Sequence, residues 1–291
     1  MKIVQISSGL GNQLFQYALY KRLSMNNNDV FLDVETSYQL NKNQHNGYEI
    51  ERIFSIQPSH ATKGMIDELA DVDNRLINRL RRKLFGPKNS MYTETKEFSY
   101  DCEVFTKDGI YIKGYWQNYN YFKEIEDDLK NELVFKKALD LKNSHLINQM
   151  NKEISVSIHV RRGDYYLNKE YENKFGNIAD LDYYLKAINF IKKEVDDPKF
   201  YVFSDDIKWA KENLNLTDNV TYVEHNKGSD SYKDMRLMTC CKHNIIANST
   251  FSWWGAFLNE NKNKIVIAPG KWINVEGVGG INLFPEGWIV Y

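Results

Sequence analysis

Ser155-Val-Ser-Ile-His-Val-Arg-Arg-Gly-Asp164 is the stretch on which the reading of this chain turns. A short run rich in β-branched residues ends abruptly in a histidine, two arginines, a glycine and an aspartate. Such a run reads as a buried strand. It delivers the polar cluster to the strand's carboxyl end, where open α/β sheets bind their ligands. The two adjacent arginines have two readings. Arginine offers a flat fork of donors that matches phosphate oxygens, and it stays charged at any working pH. On that reading Arg161 and Arg162 point to a phosphate or diphosphate. On the other, an arginine pairs with a nearby carboxylate, such as Asp164, and holds a turn.

The sequence around this stretch alternates. Residues 156–160, 200–204, 220–223, 244–247 and 265–268 read as strands, and residues 181–195, 207–214, 230–242 and 251–259 as the helices between them. Strands alternating with helices predict a parallel sheet with right-handed crossovers. Polar clusters follow the strands in turn: His159, Arg161, Arg162 and Asp164, then Ser204-Asp205-Asp206, Glu224-His225 and Asn248-Ser249-Thr250. All would lie on one rim, which points to a nucleotide or nucleotide-sugar site.

Each member of the rim keeps a functional and a structural reading. Ser249, Thr250 and Ser252 surround a helix start, where free N–H groups and the helix dipole favour a phosphate; simple capping by Ser249 is the alternative. Asp234 lies one turn into its helix and could accept from a guanine edge, or face solvent. Asp205 and Asp206 could bind a divalent metal. Capping of the following helix and contact with a ribose are more economical, because no further ligand cluster accompanies them. His159 could touch a nucleotide or orient the strand end. Trp253 and Trp254 read as core residues packing a helix on the sheet.

The first half begins as a βαβ unit. Residues 2–7 form a strand, Ser8-Gly-Leu-Gly11 a turn, and Asn12 caps a helix running to about Met25, followed by a strand over 30–34. Gly9 and Gly11 allow close approach of backbone to a ligand. With no third glycine and no nearby lysine, the loop is neither a dinucleotide fingerprint nor a P-loop. Residues 60–90 read as helical and turn basic at Arg75, Arg79, Arg81, Arg82 and Lys83; such a helix could touch acidic lipid headgroups, though a solvated face is the simpler reading. Residues 109–117 read as a strand ending in aromatics, and 119–137 as helical. Lys, Asn and Gln accumulate over 138–153, so the boundary is expected there, giving domains 1–150 and 151–291.

Bulk properties narrow the classes. A chain of 291 residues is long for one core and comfortable for two domains. The net charge of −1 provides no overall basic field, so no nucleic-acid partner is expected and any anion site must be local. The three cysteines, Cys102, Cys240 and Cys241, have no CxxC spacing, which supports neither a disulfide framework nor a zinc site and suits reduced surroundings. Met1-Lys-Ile-Val-Gln-Ile-Ser7 lacks the organisation of a signal peptide, and no apolar run approaches membrane-spanning length. A cytoplasmic protein with at most peripheral contact at the inner face of a membrane is expected.

Several motifs occur together and in order: Ser8-Gly-Leu-Gly-Asn-Gln-Leu-Phe-Gln-Tyr-Ala18, His159-Val-Arg-Arg-Gly-Asp-Tyr165, Ser204-Asp-Asp206, Asn248-Ser-Thr-Phe-Ser-Trp-Trp-Gly-Ala256 and Pro285-Glu-Gly-Trp288. In combination they resemble the α-1,2-fucosyltransferase family, glycosyltransferase family 11, in its bacterial form. Ser8 stands where that family usually has glycine, and residues 40–110 carry no matching motif. The resemblance implies an α/β GT-B fold of two facing Rossmann-like domains with parallel sheets. It implies inverting, metal-independent transfer of L-fucose from GDP-β-L-fucose, without a cofactor, to the 2-hydroxyl of a terminal galactose on a glycan acceptor. By the same resemblance Arg161 matches an arginine that binds the β-phosphate, His159 a nucleotide contact and Asp234, more loosely, a guanine-binding aspartate. Gly9, Gly11 and Asn12 match a loop beside the diphosphate and fucose. Arg162, Ser204, Asp205, Asn248, Ser249 and Thr250 complete the expected donor site. The proton acceptor is not named by any motif; Asp164, Asp33 and Glu35 are the candidates, with Asp164 set beside Arg161 as catalytic. A nucleotide-sugar binder without activity, or a transferase with another acceptor, remain as alternatives.

Overall fold

The computed structural model describes residues 1–25, 27–40, 45–72, 76–216, 219–275 and 283–291. The chain forms two compact units, Met1–Lys136 and Lys137–Tyr291. This division falls ahead of the expected 150/151. The reason is the helix Leu141–Lys152, whose Leu146 and Met150 pack with Tyr201, Phe203, Leu237 and Met238 of the second unit. Its polar exposed face made the segment look like a linker.

The first unit has four parallel strands: β1 (Lys2–Gln5), β2 (Val30–Asp33), β3 (Met91–Thr93) and β4 (Ile110–Lys113), in the order β2-β1-β4-β3. β1 is buried along its whole length, as a central strand covered on both faces must be. The expected basic helical region is two helices, Lys63–Leu69 and Leu76–Phe85; Arg75 lies outside the described residues. The expected helix over 119–137 is shorter than its charge pattern suggested. Two 3₁₀ turns, Tyr119–Tyr121 and Lys123–Ile125, precede the α-helix Glu126–Glu132.

The second unit has six parallel strands: β5 (Ser155–Val160), β6 (Lys199–Ser204), β7 (Val220–Val223), β8 (His243–Ile245), β9 (Val266–Ala268) and β10 (Ile289–Val290), ordered β10-β9-β8-β5-β6-β7. The chain runs outward from β5 through β6 to β7, then returns to the other side of β5 as β8. A topological switch point therefore lies between β5 and β8, where a crevice opens at the carboxyl ends. Alternation along β5 divides its faces. Val156, Ile158 and Val160 join a core with Tyr184, Ile188 and Ile191 of the helix Leu181–Glu194. Ser155, Ser157 and His159 fall on the other face, where Asn244 Nδ2 donates to Ser157 Oγ at 2.7 Å.

The two-residue strand β10 was not anticipated, because Ile289 and Val290 gain strand character only by pairing with Ile267 and Ala268. Trp253 and Trp254 are fully buried, as expected. Trp253 Nε1 donates to the Leu283 carbonyl at 3.0 Å and its ring packs on Trp288, which explains the closing Pro285-Glu-Gly-Trp288 motif as a core tie.

Candidate functional site

In the second unit the β5 terminus, the β6 terminus and the start of the helix Thr250–Phe257 meet at the switch point. Arg161 Nη1 lies 3.0 Å from Asp205 Oδ2. The backbone N–H of Arg162 donates to Asp205 Oδ1 at 2.8 Å. Gly163 permits this approach: a Cβ there would stand 2.9 Å from Asp205 Oδ2. The carboxylates beside the arginines are thus Asp205 and Asp206 from the neighbouring strand. The side chain of Asp164, expected from the sequence as a salt-bridge partner and a catalytic group, lies outside the described residues; its backbone belongs to the helix Gly163–Leu167.

The two arginines are held differently. The Arg162 guanidinium sits 4.2 Å from the ring centroids of both Tyr166 and Trp209, and its Nε reaches Asp206 Oδ2 at 3.4 Å. Two aromatic faces and a carboxylate fix it in place. These contacts give Arg162 a structural role in holding the loop. Arg161 shares one carboxylate and passes over Tyr165 at 5.8 Å, about a third exposed at 32%. Its planar fork carries five N–H donors in a geometry that matches carboxylate and phosphate oxygens. Charge in the Arg161, Arg162, Asp205, Asp206 group balances, so any affinity for an anion must come from directed donors rather than from net field.

Asp206 caps its helix, accepting from the Trp209 N–H at 3.1 Å, as the sequence suggested, and Ser204 Oγ accepts from the Asp206 N–H at 2.9 Å. Ser249 occupies the cap position of the helix Thr250–Phe257 in extended conformation, but its side chain makes no capping hydrogen bond. The capping reading of Ser249 fails, and the helix start keeps donor capacity for a solvent or ligand oxygen. Asn248 is a brace: its Nδ2 donates to the carbonyls of Phe175 and Trp272 at 3.0 and 3.3 Å, while its own carbonyl accepts from Tyr165 Oη at 3.0 Å. That last bond ties the arginine loop to the helix start across the switch point.

His159 is buried against Phe251, with its carbonyl accepting from Tyr184 Oη at 2.9 Å. Burial, and then the Arg161 charge, push its imidazole down to about 3, so it is neutral at working pH. Its Nδ1 is buried with no hydrogen-bond partner, a costly state for a ring nitrogen. Asp234 stands apart from the arginines. Its Oδ1 accepts from Asn226 Nδ2 at 2.7 Å, and Asn226 exchanges two amide bonds with Asn143 at 2.9 and 3.0 Å. Burial pushes the Asp234 carboxyl up to about 7 against the pull of the Asn226 hydrogen bond. It is not the solvated helix aspartate of the simpler reading. Asn143 and Asn226 were missed by sequence reading; His225, read there as part of the Glu224-His225 rim cluster, places its Nε2 3.0 Å from Asn143 Oδ1. Only the asparagine in an otherwise amphipathic helix could have signalled them.

The first unit gathers Gly9, Gly11 and Asn12. The helix begins at Leu10, with Gly9 as its cap residue, so Asn12 lies inside the first turn and does not cap. Its Nδ2 donates to Ser8 Oγ at 3.0 Å and its Oδ1 accepts from Gln117 Nε2 at 2.8 Å. Ser8 adopts φ 66°, in the left-handed region that favours glycine. The buried Gln13 and Gln16 hold the loops: Gln13 Nε2 donates to the Ser8 and Gly47 carbonyls, and Gln16 accepts from the Ser7 N–H while donating to the Gly114 carbonyl at 2.8 Å. Their signal was two glutamines at i, i+3 among Leu14, Phe15, Tyr17 and Ala18. Asp33 is buried and saturated, accepting from Tyr111 Oη at 2.6 Å and from the Glu35 and Thr36 N–H groups. A cavity of about 270 Å³ lies beside the sheet, lined by Gln5, Met91 and Lys113 together with Ser37, Asp71 and Arg82. Among the described residues no group of three or more His, Cys, Asp or Glu side chains could hold a metal ion. Nor is any helix long and apolar enough to cross a membrane.

Known proteins resemble this chain in sequence and in architecture. The family model Glycosyl transferase family 11 matches residues 1–290. An Alpha-1,2-colitosyltransferase of Escherichia coli is 32% identical over 295 residues, covering 99% of this chain and 97% of that one. The O-antigen biosynthesis glycosyltransferase WbnK of Escherichia coli is also 32% identical, over 310 residues and 98% of both chains. The Homo sapiens Galactoside alpha-(1,2)-fucosyltransferase 1 is 26% identical over 155 residues, half of this chain and 42% of its own length. Among solved structures, the fucosyltransferase NodZ from Bradyrhizobium matches with TM-score 0.54 at 13% identity, covering 87% of this chain and 91% of that one. That level of identity speaks to the fold alone, which is GT-B. The motif order, the two parallel-sheet units and the full-length match converge: this chain belongs to glycosyltransferase family 11, the α-1,2-fucosyltransferase family.

Proposed function

We propose that the protein transfers L-fucose from GDP-β-L-fucose to the 2-hydroxyl of a terminal β-galactose, with inversion and without a metal, in the synthesis of a bacterial surface polysaccharide. The observation that carries this reading is Arg161 at the β5–β8 switch point, joined through the Tyr165–Asn248 bond to a helix start without a side-chain cap. The two groups offer donors to a diphosphate from a charge-neutral setting. As the glycosidic bond breaks, negative charge builds on the β-phosphate of the leaving GDP and positive charge on the sugar. Donors already aimed at that phosphate stabilise the developing charge with no reorganisation, and such stabilisation often contributes most to catalysis. Asp205 orients Arg161 rather than binding a metal. Asp234, within reach of a carboxylate-to-proton equilibrium near neutrality, serves the guanine edge, and His159 Nδ1 awaits a donor. Of the three candidate bases, Asp33 is used up by its own hydrogen bonds. That leaves Asp164 and Glu35 to accept the proton of the acceptor hydroxyl. The first-unit cavity, bordered by Gln5, Lys113 and Ser37, suits the hydroxyls of a glycan acceptor.

A second donor has a specific claim. The colitosyltransferase matched along nearly its whole length makes GDP-colitose, the 3-deoxy counterpart of GDP-fucose, a direct competitor. A site built to bond a hydroxyl rejects the analogue lacking it, whereas an apolar site discriminates weakly. The test incubates the purified protein in EDTA with each donor and a β-galactoside disaccharide, measuring GDP release and product mass. A fucosylated disaccharide supports the main reading, and a colitosylated one alone replaces the donor. Binding of GDP-fucose without acceptor-dependent turnover would favour a sugar-nucleotide binder. Activity lost in EDTA and restored by magnesium would return Asp205 and Asp206 to a metal role.

A further inference from the structure

The helix Leu76–Phe85, Leu-Ile-Asn-Arg-Leu-Arg-Arg-Lys-Leu-Phe, is built inside out. At helical spacing Leu76, Leu80 and Leu84 form one stripe. They are 81%, 59% and 66% exposed, and Phe85 at the helix end is 79% exposed. The inner side is polar instead. Arg81 Nη2 bonds Asp71 Oδ2, while Arg82 Nη1 reaches Asp71 Oδ1 and the Asp71 carbonyl, each at 3.2 Å. The Lys88 N–H donates to the same carboxylate at 3.0 Å. Burial would push Asp71 up, but these hydrogen bonds hold its carboxyl below the usual range. Ion pairs therefore fasten the helix to its unit, and the leucines take no part in holding it.

Three leucines and a phenylalanine turned to water on one short helix form a patch that demands an occupant. Arg79 and Lys83, both exposed, border the stripe, and the helix contains no acidic residue. In a chain with net charge −1, that is a local concentration of positive charge. Apolar residues outward, cations at the margin and a rigid attachment behind are the features of a helix lying in the plane of a bilayer surface. We propose that Leu76–Phe85 docks on an anionic lipid bilayer, with its leucine stripe at the headgroup–acyl boundary and Arg79 and Lys83 on lipid phosphates. A second copy of the chain fits less well, because an isologous contact would set these cations against their own copies.

Docking of this face is independent of donor and acceptor, and its test reads lipid binding directly. The full chain is sedimented with vesicles of phosphatidylcholine alone and of phosphatidylcholine containing phosphatidylglycerol. It should pellet with the anionic vesicles at low salt and be released as salt rises. The double variant Leu80→Glu with Leu84→Glu should bind those vesicles about tenfold or more weakly, with its melting temperature unchanged. Lys83→Glu should weaken binding to anionic vesicles without altering the fold. A wild-type chain that stays in the supernatant with both vesicles overturns the proposal, as does equal binding by the leucine variant. A wild-type dimer that the leucine variant converts to monomer, with no vesicle uptake by either, would assign the face to a second copy instead.

Discussion

At the carboxyl edge of the first sheet the loop after β1 is held by neutral amides; at the edge of the second the loops after β5 and β6 are held by charges. Gln13, Gln16 and Gln117 bond the Ser7–Gly9 loop, the Gly114 carbonyl and Asn12, using donors and acceptors that cancel within each amide. Arg161, Arg162, Asp205 and Asp206 do the equivalent work around β5 and β6, beside a helix start that the Ser249 side chain does not cap. Satisfied amides make a stiff surface with little field. Paired charges beside an uncapped helix start make a surface that can still bind an anion. On the proposed function, the second rim carries the diphosphate and the amide-held loop of the first supplies shape.

The largest effect should come from the second rim. Arg161→Lys replaces a planar fork by a point charge and should lower kcat/KM by about a hundredfold or more, with the melting temperature within a degree or two of wild type. A large loss of melting temperature together with activity would make Arg161 structural and erase the contrast. Gln16→Ala tests the first rim. It strands the Ser7 N–H and the Gly114 carbonyl, and should cost about 2–3 kcal/mol in urea unfolding. Unaltered stability would mean those loops are held otherwise. Arg162→Lys sharpens the distinction within the charged rim. Losing the stack between Tyr166 and Trp209 should cost about 1–2 kcal/mol, with kcat/KM changed less than about tenfold.

The pH dependence of stability isolates Asp234. Its folded carboxyl titrates at about 7, above the unfolded value of about 3.9. At this group the folded state binds more protons between those values, so the slope that Asp234 contributes is a loss of stability as pH rises from about 4 to about 7, superposed on the opposite slope that the depressed His159 contributes below about 6.5. Asp234→Asn should remove the Asp234 contribution from thermal melts across the range; an unchanged slope would place the titration elsewhere. Ser8→Gly should have the smallest effect. Relief of the left-handed backbone opposes loss of the Asn12 bond, so any gain should stay below about 1 kcal/mol by urea unfolding.

Much of the second unit was legible because its central strands are buried on both faces and its helices carry clear periodicity. The candidate site was legible as far as its position. Arg161, Asp205 and the helix start at Thr250 come together because each follows a strand of one parallel sheet. What each residue does there was less legible. Ser249 does not cap, Asn248 braces two loops through Phe175 and Trp272, and Arg162 is spent between two rings. Such assignments depend on partners dozens of residues away, to which local pattern is blind. In the first unit, Asn12 looked like a cap because asparagine favours that place, but the Gly9 backbone starts the helix earlier.

The sequence by itself determined the α/β class, the strand–helix alternation of the second unit and the rim on which its polar clusters fall, because periodicity and strand-end position are local properties of the chain. Tertiary structure alone decided the pairing of Arg161 with Asp205, the neutral burial of His159, the elevated Asp234 carboxyl and the outward leucines of Leu76–Phe85. Those depend on which groups are excluded from water and which charges face one another, and both are settled only when distant segments pack.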